Sequence, residues 1–172
     1  MRKIGNIMNE FQRFSAASAK VMEIYFSEPE IVDKKDAIDK PERFKGKVEF
    51  RNVSFKYDDG ELPVLHDISF TAEPGKTIAI MGETGCGKSS LIHLIPRFYE
   101  VDEGSISIDG IDITDMTRLS LRKNIGMVAQ DVFLFNGTIR ENIAYGRLDA
   151  TDEEIMEAAK KANIHDYIMT LD

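Results

Sequence analysis

Gly82-Glu83-Thr84-Gly85-Cys86-Gly87-Lys88-Ser89 fills every fixed position of G-x-x-x-x-G-K-[ST], the spacing of a phosphate-binding loop, and Ser90 extends it. Each residue type has a physical reason to be there. Glycines at 82, 85 and 87 let backbone N–H groups turn inward on phosphate oxygens where side chains would intrude. Lys88 supplies a point charge for the outer phosphates, and the Ser89 hydroxyl can hold Mg2+. A helix that begins at the loop adds the positive end of its dipole. The pattern implies a site for a nucleoside triphosphate. A Gly-rich turn with an accidental Lys-Ser is the plainer reading, and the filled positions weigh against it. Cys86, the one cysteine, sits beside Lys88 and a helix N-terminus, surroundings that raise a thiol's reactivity, unless it is merely a small residue tolerated in the loop.

Such a loop works only between a strand and a helix. Lys76-Thr77-Ile78-Ala79-Ile80-Met81 is short, apolar and partly β-branched, and reads as a buried strand. Ser90 to Ile95 has helix-forming residues, and Pro96 marks their end. Upstream, Val48, Phe50, Val53, Phe55 and Tyr57 alternate imperfectly around Asn52, which predicts a strand with an irregularity. Asp58-Asp59-Gly60 is turn chemistry, and Ile68 to Ala72 is a second extended run. An antiparallel β layer therefore precedes the nucleotide core.

Downstream, Gly104 to Gly110 reads as a short strand closed by an Asp-Gly turn. That turn argues against Asp109 as a metal-associated carboxylate at the end of a buried strand. Thr117 caps a predicted helix to Asn124, and Ile125 to Ala129 reads as an apolar strand ending at Gln130. Asn136-Gly137 is a turn before a short helix from Thr138 to Ala144. Thr151 and Glu154 form a capping box for a helix to about Asn163, and Ile164, Tyr167, Ile168 and Leu171 begin another. At the other end, apolar residues from Ile4 to Tyr25 recur at helical steps around the small patch Ser15 to Ala19, a face for a partner helix or for packing on its own domain. Ser27 to Glu30 and the charged stretch from Asp33 to Pro41 read as a linker.

Composition bounds the rest. At 172 residues with 42% hydrophobic and 30% charged residues, the chain has the profile of one ordinary globular domain. A net charge of -8 with no basic cluster argues against nucleic acid as a partner. No run reaches the ~18 apolar residues of a membrane span, and a single cysteine points to no oxidising compartment. The expectation is a soluble, cytoplasmic chain.

Taken in order, these pieces resemble the nucleotide-binding domain of an ABC transporter, specifically the exporter type in which membrane and ATPase domains share one polypeptide. The Val48 to Tyr57 strand, the phosphate loop, Gly104 to Gly110, the strand ending at Gln130 and Phe135-Asn136-Gly137-Thr138-Ile139-Arg140-Glu141-Asn142-Ile143 carry the likeness. It implies an α/β P-loop NTPase core with an N-terminal antiparallel β layer and part of a helical subdomain, preceded by an amphipathic helix and linker. Residues 1–45 would be the end of the last membrane-domain helix plus the linker, and 46–172 a nucleotide-binding domain cut short. The resemblance assigns Tyr57 to stacking on adenine, Gly82 to Ser90 to the phosphates of ATP, Ser89 and Gln130 to Mg2+ and water, and Phe135 to Ile143 to the meeting with the membrane domain. Without it, Tyr57 would be a strand-edge tyrosine, Gln130 a surface residue and 138–144 a packing helix. The implied partners are the membrane domain of the same transporter and a second nucleotide-binding domain, identical or not, at the cytoplasmic face of the cell membrane.

The departures matter as much. The sequence holds no Leu-Ser-Gly-Gly-Gln signature, no buried strand ending in Asp with an adjacent catalytic Glu, and no switch His; His66, His93 and His165 lie in other contexts. The expectation is an ATP-binding piece without the groups that polarise the attacking water, and a sheet with an open edge. A non-catalytic nucleotide-binding or interaction module is the alternative. A P-loop kinase or GTPase is disfavoured, since no Asn/Thr-Lys-x-Asp guanine reader occurs.

Overall fold

The computed structural model describes residues 2–27, 29, 31–39, 43–58, 60 and 62–171, with side chains from residue 11 onward. The expectations at Glu28, Glu30, Lys40, Pro41, Asp59 and Asp172 lie outside that set, as do the apolar side chains before Phe11. Two compact units divide the chain, 1–126 and 127–172.

The first unit is built on an antiparallel sheet. Strands β1 (Val48–Phe55), β2 (Leu65–Ala72), β3 (Glu103–Ile108) and β4 (Ile111–Asp112) lie in the order β2-β1-β3-β4. The break in alternation at Asn52 is a bulge: register shifts between Phe50 and Val53, and Asn52 takes φ 47°. Its amide Nδ2 donates to Asp67 Oδ1 at 2.7 Å, holding a second left-handed residue, φ 50°, on the neighbouring strand. Gly104 crosses this point with φ +83°, and a Cβ there would collide with the Arg51 and Asn52 carbonyl oxygens, so only glycine lets β3 pass the bulge. Asp109-Gly110, φ 52° and 80°, makes the two-residue turn into β4, both residues left-handed as a type I′ hairpin requires. Asp109 then accepts from the N–H groups of Lys45, Gly46 and Lys47 at 2.7–3.1 Å, so its carboxylate fastens the entry to β1.

One face of this sheet is buried. Phe50, Val53, Phe55, Leu65, Ile106 and Ile108 pack with Leu91 and Leu94 of helix α2 (Lys88–Leu94), with Ile113 and Met116, and with Leu121 of helix α3 (Arg118–Lys123). Numbering counts the long N-terminal helix, Arg2–Tyr25, as α1. Phe11, Phe14, Val21 and Met22 on α1 are exposed, so these described apolar side chains do not pack on the sheet. No helix among the described residues is long and apolar enough to cross a membrane. The segment after α1 is tied down by side chains. Lys34 reaches Asp115 at 2.6 Å, Ile38 bridges Met116, and Asp33 takes the guanidinium of Arg118 at 3.0 Å.

Two expected strands are not strands here. Lys76 to Met81 is irregular and exposed, with Ile78, Ile80 and Met81 open to solvent, and Ile125 to Ala129 is irregular too, with Val128 exposed. An apolar β-branched run becomes a strand only when a ladder partner takes its N–H and C=O groups, and among the described residues neither run has one. The buried strand expected before the phosphate loop is therefore corrected to an irregular, open segment.

The second unit is helical: α4 (Ile139–Ala144), α5 (Asp152–Lys161) and α6 (His165–Ile168). Both expected starts form full capping boxes, Thr138 with Glu141 and Thr151 with Glu154. Helix α5 ends where Asn163 turns left-handed at φ 56°, its N–H donating to Lys160 O and that of Ile164 to Ala159 O, each at 3.0 Å.

Candidate nucleotide site

The loop from Gly82 to Cys86 is exposed, and α2 starts from it at Gly87, which caps the helix with φ 87°. A Cβ at Gly87 would stand 2.8 Å from Leu65 Cδ2 and 3.0 Å from the Val64 carbonyl oxygen. Glycine thus lets the loop run hard against the start of β2, which fixes where the helix begins. The Lys88 side chain folds back into the loop, its ammonium donating to the carbonyl oxygens of Gly82 at 2.9 Å and Glu83 at 2.5 Å. The cation is held at the loop's centre by weak neutral acceptors, which a phosphate oxygen, a charged acceptor, would outcompete. Ser89 is exposed at the first turn, where its hydroxyl is free of packing constraints, and the exposed Cys86 thiol lies 3.6 Å from Lys88 Nζ. These features fit a triphosphate with its magnesium ion.

Tyr57, just past β1, is joined to the same loop. Its hydroxyl lies 2.9 Å from the Oγ of the buried Ser90 on α2. The ring stands edge-on to Phe55 at 4.8 Å and to Tyr99 at 5.1 Å between centroids. A cavity of about 440 Å³ adjoins it, lined among others by Ile31, Tyr99, Glu100 and Asp102. So the structure brings Tyr57 and the phosphate loop together as one piece of the first unit.

The turn that carries Tyr99 is itself clamped. Arg97, almost fully buried, pairs with Glu100 at 2.6 Å, donates to the Val32 carbonyl oxygen at 3.3 Å and lies 3.7 Å from the Asp33 carboxylate. Sequence reasoning singled out neither Arg97 nor Tyr99. An arginine three residues past a helix end carries no periodicity that marks it as buried.

Gln130 belongs to the second unit, where it is exposed at a bend. The stretch after it is ordered by Asn142, whose side chain accepts from Phe135 N–H at 2.8 Å and donates to the Phe135 and Thr138 carbonyls at 3.1 and 2.9 Å. Phe135 stacks on Tyr145 at 4.2 Å and meets Phe133 edge-on, an aromatic ladder largely open to solvent. The Thr138 N–H holds the Glu141 carboxyl below the usual range, and the Thr151 N–H, aided by Arg147, does the same for Glu154.

The profile of the family described as ABC transporter matches residues 65–171. The chain is 45% identical over 171 residues to an ATP-dependent lipid A-core flippase of Syntrophus aciditrophicus (strain SB), covering 99% of this chain and 28% of the relative. It is 48% identical over 170 residues to the putative multidrug export ATP-binding/permease protein YgaD of Bacillus subtilis (strain 168), covering 99% of this chain and 29% of that protein. A solved bacterial Atm1-family ABC exporter with ATP bound superposes with a TM-score of 0.82 at 39% identity, over 98% of this chain and 29% of that one. The chain therefore spans less than a third of the length of the relatives it matches.

Proposed function

Since this chain belongs to the ABC transporter family, we propose that it is the ATP-binding part of an exporter that couples ATP hydrolysis to movement of a substrate across a membrane. The observation that carries the reading is Lys88 lodged inside the Gly-rich loop at the start of α2, with Tyr57 bonded to Ser90 of the same helix.

In this reading the loop from Gly82 to Ser90 wraps the phosphates and Lys88 turns from its own carbonyls to their oxygens. Ser89 would hold Mg2+, which when bound neutralises charge on the phosphates, and Gln130 is given its role toward the metal and water by the family resemblance alone. Tyr57 lays its ring on the adenine. The exposed ladder of Phe133, Phe135 and Tyr145 faces the membrane domain of the same polypeptide at the cytoplasmic side, and a second nucleotide-binding domain completes the assembly. The 172 residues contain no Leu-Ser-Gly-Gly-Gln run, and among the described residues no strand ends in adjacent Asp-Glu, so in this reading the chain binds Mg-ATP but lacks the groups that polarise the attacking water.

Equilibrium binding of a fluorescent ATP analogue with Mg2+, beside a Lys88→Ala control and a phosphate-release assay, tests the reading. Binding that the control abolishes, with no release above blank, is the expected result. Binding that survives Lys88→Ala, or no binding to the folded chain, would sink it.

A further inference from the structure

A flat ring stacks well on a base only if its plane is set before the base arrives, because freezing it on binding costs entropy. Tyr57 has two supports. Its hydroxyl is tethered 2.9 Å from Ser90 Oγ, a buried atom on α2, and the ring edge rests perpendicular to Tyr99 at 5.1 Å. Phe55, itself 5.5 Å from Tyr99, closes the triangle from the strand side. The turn that carries Tyr99 is braced by Arg97, whose side chain pairs with Glu100 at 2.6 Å and donates to the Val32 carbonyl oxygen. Packing alone would need no tether between a tyrosine hydroxyl and the phosphate-loop helix.

We propose that Ser90 and Tyr99 are positioning residues that fix the plane of the Tyr57 ring, and so set how much of the nucleotide's affinity comes from its base. The inference rests on the reading of Tyr57 as the base platform. Its consequence is selective: loosening the ring weakens ATP but leaves a ligand made only of phosphates untouched.

The experiment is competition by Mg-ATP and by magnesium tripolyphosphate against the fluorescent analogue, on the whole chain and its variants, with thermal melts alongside. Tyr57→Phe, which keeps the ring and removes the tether, and Tyr99→Leu should each cut the preference for ATP over tripolyphosphate by about 2- to 10-fold, the range of a lost aromatic or hydrogen-bonded support. Tripolyphosphate affinity should stay within about twofold, and Tyr99→Phe should restore the preference. Equal losses for both ligands would mean a merely structural role and overturn the proposal, as would an unchanged preference in Tyr57→Phe and Tyr99→Leu. Tyr57→Leu separates the two levels of the argument. If it too leaves the preference unchanged, the base platform itself is wrong; if it alone lowers the preference, the platform stands and the positioning by Ser90 and Tyr99 falls.

Discussion

Lys88 is the residue on which the site turns, and its contacts tie the start of the loop to the start of α2. The ammonium bonds the carbonyl oxygens of Gly82 and Glu83 in the loop it belongs to. Cys86 reports on the same geometry. It is the one cysteine of the chain, exposed, and 3.6 Å from Lys88 Nζ. A ligand wrapped by this loop covers the thiol, so maleimide labelling should slow with Mg-ATP in proportion to occupancy, about tenfold at ten times Kd. Time courses by mass spectrometry check this, and Lys88→Ala should remove the protection. Labelling equally fast with and without saturating Mg-ATP would place Cys86 away from the bound phosphates. The loop was legible in the sequence because its residue types are dictated by the ligand's chemistry. Tyr99 was not, because an aromatic that acts through another aromatic has no pattern of its own.

Among the elements, those specified by local chemistry are the ones the sequence reveals. Thr138 with Glu141 and Thr151 with Glu154 are four-residue statements that need no distant partner; the second forms as read, and the first is a box that the structure adds to the short helix expected from Thr138. The runs 76–81 and 125–129 need a ladder from elsewhere, and apolarity alone could not supply it. The capping boxes give a pH dependence whose sign is fixed. Glu141 and Glu154 are both held below the usual carboxylate value, chiefly by the cap N–H groups, so the folded helices favour the charged form. Their contribution is complete above the unfolded carboxylate pKa, about 4.3, and fades as pH falls through the lower folded values. Circular dichroism from pH 6 to about pH 3 should show helix loss in the range below the unfolded value, steeper than in Glu141→Gln/Glu154→Gln. Thr151→Ala, which removes one cap acceptor, should cost about 1 kcal/mol at neutral pH. A neutral-pH melt unmoved by Thr151→Ala would mean that α5 is held by something other than its cap.

At the scale of the first unit, the charged stretch after α1 does more than its composition suggests. It has no apolar periodicity, which is why it reads as a linker, yet specificity here is carried by ions. Asp33 serves Arg97 and Arg118 together, Lys34 serves Asp115, and Ile38 adds a backbone bridge to Met116. Arg97 is the critical partner because it is 4% exposed and its Nη1 makes no hydrogen bond among the described residues, lying only near the Asp33 carboxylate. Removing that carboxylate leaves a buried guanidinium balanced by Glu100 alone, and an imperfectly paired buried charge is expensive. Asp33→Ala should therefore destabilise the chain by about 1–3 kcal/mol, whereas breaking a solvent-screened pair such as Lys161 with Glu157 should cost distinctly less. Urea denaturation at neutral pH measures both, with Asp33→Asn as an intermediate case that keeps an acceptor for Arg118. If Asp33→Ala behaves like the exposed pair, the segment from Val32 to Asp39 only rests on the unit. If it costs the larger amount, that segment is part of the fold that presents Tyr99 to Tyr57.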